Sequence, residues 1–288
     1  MTEPASVAPS TMTLADGRTL EYYDARRKDS DLVVVYHHGT PNIGEPPLPV
    51  LEASAARGIS WVSFSRPGYA NSTRVKGRAV SHVAEDVAQV TDALGVERFA
   101  VLGHSGGGPH ALACAALLPD RVSAVVSIAG LAPLLVDGFE REGDAWFEGM
   151  YAGGKLELKA AVAGAKALRA LLSEVEWDPD MFTAGDVEAF GGPWGWLHHV
   201  VEMANAGGVS GMIDDNLAFV HPWGFELADV AAPTLLMHGD RDRIVPVRHS
   251  EWIAERLPDV EVWREEEHSH ISVLMRAEDA LDWIVAHR

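Results

Sequence analysis

The stretch RFAVLGHSGGGPHALACAALL, Arg98 to Leu118, constrains the fold more than any other part of the chain. An apolar run, Phe99 to Leu102, stops at Gly103; a histidine, a serine and three glycines follow, and an alanine- and leucine-rich segment begins at once. A strand that turns directly into a helix forces its corner residue into a strained backbone conformation, and the residues two positions away on either side must be small. Gly103 and Gly107 flank Ser105 in this way. Such a corner lifts the serine hydroxyl above the sheet and sets it at a helix N-terminus, with the Gly106 amide facing the space where negative charge would collect. Pro109 fits the first helical turn, where no backbone donor is lost. Gly106 to Ala111 also meets a loose G-x-G-x-x-A dinucleotide pattern, but without an acidic residue at the expected distance.

The rest of the chain repeats the strand-then-helix rhythm. LVVVYHHG (Leu32–Gly39), GISWVSF, RFAVLG, RVSAVVSIAG, PTLLMHG and VEVWREE read as strands. Helices are expected from Leu48 to Arg57, through Val80, Val83, Val87, Val90 and Leu94 with Gly95 as the stop, from Gly107 to Leu118, from Val247 to Leu257, and at the end of the chain. Alternation of this kind predicts an α/β fold with a mostly parallel central sheet covered by helices on both faces. Between Leu131 and Asp229 the rhythm breaks into helical and loop-like sequence carrying Trp146, Trp177, Trp194, Trp196 and Trp223. The predicted organisation is therefore a core half over residues 1–130, a helical cap insertion over 131–229 at the carboxyl edge of the strands, and a second core half over 230–288.

Composition narrows the partners. A formal net charge of −19 argues against nucleic acid or an anionic membrane surface, leaving a small molecule as the expected partner. The single cysteine, Cys114, lies in an apolar segment and reads as a buried structural thiol. No apolar run reaches a membrane span, and the opening MTEPASVAPS, expected to be mobile, shows no secretory pattern, so a cytoplasmic location is expected. No cofactor is called for, and oligomeric state is not legible.

A serine hydroxyl is a poor nucleophile until a base takes its proton, and the base needs a third group to orient it. When the serine sits on such a corner, acid and base follow it in chain order after later strands. Asp240 and Asp242 both follow the strand TLLMHG; Asp242 fits the spacing H-G-x-x-D-x-x-V-P. His268 and His270 both follow the next strand; His270 opens the last helical segment and has the small Ser269 before it. A metal pair formed by the two histidines lacks further ligands nearby, so no metal is expected. HHGTP, His37 to Pro41, could place a second amide donor, Thr40, beside a bound ligand, with His37 and His38 structural. His104, Trp194 and Trp196 are candidates for lining a substrate pocket; core packing is the plainer reading of at least one tryptophan. Lys155, Lys159 and Lys166 read as a solvated face.

Four segments, HHGTP, GHSGG, HGDRDRIVP and HSHISVL, agree in order and spacing, and together they resemble the α/β-hydrolase superfamily. SRPGYANS is similar to a further superfamily segment, R-P-G-x-G-x-S, with Ala70 in place of the second glycine. The resemblance covers nearly all of the chain outside Leu131–Asp229. It implies Ser105 as nucleophile, His270 as base, Asp242 as orienting acid, Thr40 and Gly106 as oxyanion donors, and the insertion as the variable cap. Superfamily branches that open epoxides or remove halides carry aspartate at the nucleophile position; Ser105 implies an acyl-serine route instead, as in a carboxylesterase acting on a small, largely apolar substrate. A lyase, C–C hydrolase, amidase or aminopeptidase on the same fold, or a binding protein without catalysis, are the alternatives.

Overall fold

The computed structural model describes residues 7–134, 140–174 and 178–288; Trp177 lies outside these. Strands β1 (Ser10–Thr13), β2 (Thr19–Ala25), β3 (Leu32–His37), β4 (Ile59–Phe64), β5 (Phe99–His104), β6 (Val122–Ile128), β7 (Thr234–Gly239) and β8 (Val260–Glu265) form one eight-stranded sheet in the order β1-β2-β4-β3-β5-β6-β7-β8. From β4 across to β8 every pairing is parallel. β1 and β2 pair antiparallel with each other, and β2 runs antiparallel to β4.

The expectation of a mobile start falls mostly on residues 1–6, which lie outside the described residues; an N-terminal hairpin begins at Ser10, where Ser10–Thr13 is paired in register with Thr19–Tyr22. The hairpin was hidden because β1, STMT, is polar and largely exposed, leaving no buried alternation to read.

Successive strand residues face opposite sides of the sheet, so each strand feeds two cores. Val35, Val62, Val101, Val125 and Leu236 point to one side, where they meet helices α2 (Val83–Ala93), α3 (Gly107–Leu117) and α9 (Arg248–Ala254). Val34, Trp61, Leu102, Val126 and Leu235 point to the other, against α1 (Leu51–Ala56) and α10 (Ala277–Ala286). β4, β5 and β7 are buried along their whole length, which is why they read as continuous apolar runs.

The segment between β6 and β7 carries five helices among the described residues: α4 (Ala152–Val162), α5 (Ala165–Leu172), α6 (Ala184–Gly191), α7 (Trp196–Ala206) and α8 (Ser210–Val220). It shares the main cores: Leu158, Leu168, Ile213 and Phe219 pack in one cluster with sheet residues Val35 and Phe99, and Leu197 and Val200 pack in the other. No helix among the described residues is long and apolar enough to cross a membrane.

Candidate active site

Ser105 stands where β5 turns into α3, with φ +54°, the left-handed region that costs an L-residue energy. Its amide donates to the Ile128 carbonyl at 2.8 Å, and its own carbonyl accepts from Gly108 at 2.9 Å, which together hold the corner. The flanking glycines are required by space: a Cβ at Gly103 would lie 2.2 Å from the Gly107 carbonyl oxygen, and one at Gly107 would lie 1.9 Å from that of His37.

The loops after β7 and β8 bring two further groups to this corner. The Ser105 hydroxyl lies 2.9 Å from His270 Nε2, and His270 Nδ1 lies 2.7 Å from Asp242 Oδ2. Asp242 Oδ1 accepts from the amides of Ile244 (2.8 Å) and Val245 (2.9 Å). His238 Nε2 stands 3.3 Å from Asp242 Oδ2 while it donates to the Val245 carbonyl at 2.7 Å. Asp240 is elsewhere: it pairs with Arg264 at the sheet edge, at 2.9 and 3.0 Å. His268 contributes its carbonyl to the Arg241 amide, whereas both ring nitrogens of His270 are engaged with the two candidate partners.

Electrostatics separate the roles. Burial pushes the Asp242 carboxyl up, but the facing His270 charge and the hydrogen bonds from His238 and His270 outweigh it, so the carboxyl is held far below its usual range. Burial pushes His270 down, and Asp242 more than compensates, so its pKa rises above the ordinary 6.5. His104 is pushed down to about 3 by burial and then by neighbouring His270, and stays neutral.

Thr40 and Gly106 meet beside the serine. A Cβ on Gly106 would lie 2.5 Å from Thr40 Oγ1, so the two residues are in direct contact. Among the described residues neither backbone amide donates to a protein acceptor.

The three candidate pocket residues divide. His104 gives Nε2–H to the His270 carbonyl at 3.1 Å, and its ring lies 5.1 Å from that of His270. His104 and Trp194 border one small cavity of about 10 Å³ with Tyr36, Trp61, Leu102 and Leu274, a packed interior with room for roughly one water. Trp196 does not border that cavity, but it packs against the same apolar cluster and donates its indole N–H to buried Glu45 at 2.6 Å. Of the remaining expectations, Cys114 is buried with its thiol pushed up by burial, and Lys155 and Lys159 pair with Asp144 at 3.1 and 2.7 Å.

Sequence reasoning missed the residues beneath the site. Arg66, Arg78 and Asp215 are buried together, and Asp186 accepts from the amides of Ile271 and Ser272, both at 2.8 Å, immediately after His270. One signal was present: IDDNLAFV sets Asp214, Asp215 and Asn216 inside an apolar helix, and all three are buried.

A strand–serine–helix corner with a histidine and a carboxylate converging on it defines a class of fold and site. The family model for the alpha/beta hydrolase fold matches residues 33–277, and the chain belongs to that family. The chain is 32% identical over 139 residues to a bifunctional esterase/perhydrolase of Acinetobacter calcoaceticus, covering 46% of this chain and 50% of that one; it thus spans about half the length of that relative. It is 27% identical over 247 residues to a non-heme haloperoxidase of Rhodococcus erythropolis, covering 83% and 84% of the two chains. Among solved structures, an esterase from Exiguobacterium antarcticum superposes with a TM-score of 0.66 at 20% identity over 97% of this chain and 98% of that chain, a likeness of fold.

Proposed function

We propose that this chain is a serine hydrolase that cleaves a carboxylic ester, or a related acyl bond, of a small and largely apolar substrate through an acyl-serine intermediate. The observation that carries the reading is the unbroken relay from Ser105 Oγ to His270 Nε2 (2.9 Å) and from His270 Nδ1 to Asp242 (2.7 Å). An esterase/perhydrolase among its relatives supports the same class.

In this cycle Ser105 Oγ attacks the acyl carbon while its proton passes to His270 Nε2. The carbonyl oxygen gains the negative charge and is met by the unpaired amides of Thr40 and Gly106. Collapse expels the alkoxide, which leaves as the alcohol with the proton from His270. Water then gives its proton to His270, attacks the acyl-serine and releases the carboxylic acid, restoring Ser105. Asp242, held ionised, keeps the proton of His270 on Nδ1 and stabilises the imidazolium between the two proton transfers. The helices of segment 131–229 act as the cap that shapes the acyl pocket.

Hydrolysis of p-nitrophenyl acetate tests the reading. Turnover is expected in the wild type and a loss of about 10⁴-fold or more in kcat in Ser105→Ala. Equal rates in the two proteins would refute it.

A further inference from the structure

Thr40 reaches the site through its backbone, and its side chain is gripped from behind. Thr40 Oγ1 donates to Asp215 Oδ2 at 2.7 Å and accepts from Arg66 Nη2 at 3.0 Å, so its hydroxyl has both a donor and an acceptor role filled. Arg66 Nη2 also donates to the Gly39 carbonyl at 2.9 Å, and its Nη1 donates to the His38 carbonyl. Asp215 holds Arg66 in turn, at 2.7 Å to Nη2 and 3.1 Å to Nε, and further accepts from Tyr69 (2.8 Å) and from Arg78. Arg66 and Asp215 are 1% and 0% exposed, so water does not compete for these bonds.

The peptide geometry gives the cluster its meaning. The Gly39 carbonyl and the Thr40 amide belong to one peptide unit, which is trans; the cis bond among the described residues is the next one, Thr40–Pro41. In a trans peptide C=O and N–H point in opposite directions. A guanidinium fixed on the carbonyl therefore aims the N–H the other way and polarises it as a donor. With no side chain on Gly106, Thr40 packs flush against the second donor residue.

We infer that the buried Arg66–Asp215 pair is the positioning device of the oxyanion site, with Asp215 on α8 reaching from the helical insertion to lock Arg66 and Thr40 so that the Thr40 amide faces the reacting oxygen. The inference rests on the hydrolase reading. It makes the insertion part of the machinery that orders the core loop, in addition to any role in covering the substrate.

Electrostatics and positioning predict opposite signs. Arg66, Arg78 and Asp215 together leave one positive charge behind the Thr40 peptide, with the neighbouring Asp214 engaged by Arg74 at 2.6 Å. Asp215→Asn adds a further unbalanced positive charge, which by field alone favours the oxyanion and holds or raises kcat. Positioning requires kcat to fall.

The test measures kcat and KM for p-nitrophenyl acetate in the wild type, Asp215→Asn, Thr40→Val, the double variant and Asp214→Asn. Thr40→Val keeps the backbone amide, the shape and the buried charges while removing the hydroxyl, so it reports on the clamp even if Asp215→Asn folds poorly. Losing an oxyanion donor outright costs roughly 10²–10³ in rate. A misdirected one is expected to lower kcat about 10- to 100-fold with KM within about twofold, in both single variants. The double variant is expected to be no slower than the worse single, the signature of one shared interaction. Asp214→Asn, on the same helix with a different partner, should stay within about twofold of wild type.

Wild-type kcat in folded Thr40→Val, a rise in Asp215→Asn, or multiplying losses in the double variant would overturn the inference while leaving the hydrolase reading intact. Labelling of wild-type Ser105 by a fluorophosphonate checks that reading separately; a wild type that neither labels nor turns over would overturn both.

Discussion

At the scale of single residues the proposed cycle turns on one titration. In that cycle His270 acts as the free base, so kcat/KM is expected to fall as pH drops through the His270 pKa. Burial lowers that pKa but Asp242 raises it further, so the acidic limb should lie above pH 6.5. Asp242→Asn removes the raising charge and leaves burial in place; the limb should move to lower pH, with kcat reduced about 10⁴-fold because the amide donates to Nδ1 and leaves the imidazole proton on Nε2, the tautomer that cannot accept from Ser105. A pH–rate profile of both proteins checks this, and an unchanged limb in Asp242→Asn would contradict it. Ala70 offers a stability test away from the chemistry. It occupies the position where the related segment carries glycine, is exposed, and adopts φ +45°. Relief of that strain outweighs the added freedom of the unfolded chain, so Ala70→Gly should raise stability by about 0.5–1 kcal/mol, seen as a melting temperature roughly 2 °C higher.

At the scale of elements, the loop bearing His270 is held by α6. Asp186 accepts from the amides of Ile271 and Ser272, and Thr183 Oγ1 meets Ser269 Oγ at 2.7 Å. Burial raises the Asp186 pKa, but hydrogen bonds from Ser269 and the amides of Ser272, Thr183 and Ile271 outweigh it and the net shift is downward. Its contribution is therefore present above the unfolded value near 3.8 and is lost as pH falls through the lower folded value. Asp186→Ala should cost about 2–3 kcal/mol by leaving buried amides without an acceptor, and should lower kcat because His270 is no longer held. Urea unfolding at neutral pH measures the first effect and ester turnover the second. The contrast between α6 and β5 explains what the sequence could disclose. The Ser105 corner and the Asp242 and His270 loops were legible because each depends on local spacing: glycines two residues away, a strand end, a small residue before the histidine. Asp186 and Asp215 were not, because their meaning comes from partners 85 and 149 positions away. Likewise Arg66 was visible inside SRPGYANS, but the carbonyls it binds and the carboxylate that holds it are defined only by tertiary packing. The bond of the Trp196 indole to buried Glu45, 151 positions away, was also not legible.

At the scale of the whole molecule, the helices between β6 and β7 share their apolar clusters with the sheet. Apolar residues of α4, α5 and α8 share a cluster with β3 and β5, and Asp186 and Asp215 tie the inserted helices to both sides of Ser105. Thermal unfolding followed by far-ultraviolet and near-ultraviolet circular dichroism should therefore give coincident single transitions; two separated transitions would show an insertion that melts on its own. The proposed chemistry depends on the activation of one hydroxyl by one imidazole, and fluorophosphonate labelling with the modified residue mapped by mass spectrometry measures that most directly. The label is expected on Ser105 in the wild type and in His268→Ala, and its rate should collapse in His270→Ala. Labelling at another residue, or at Ser105 with equal speed in the absence of His270, would contradict it.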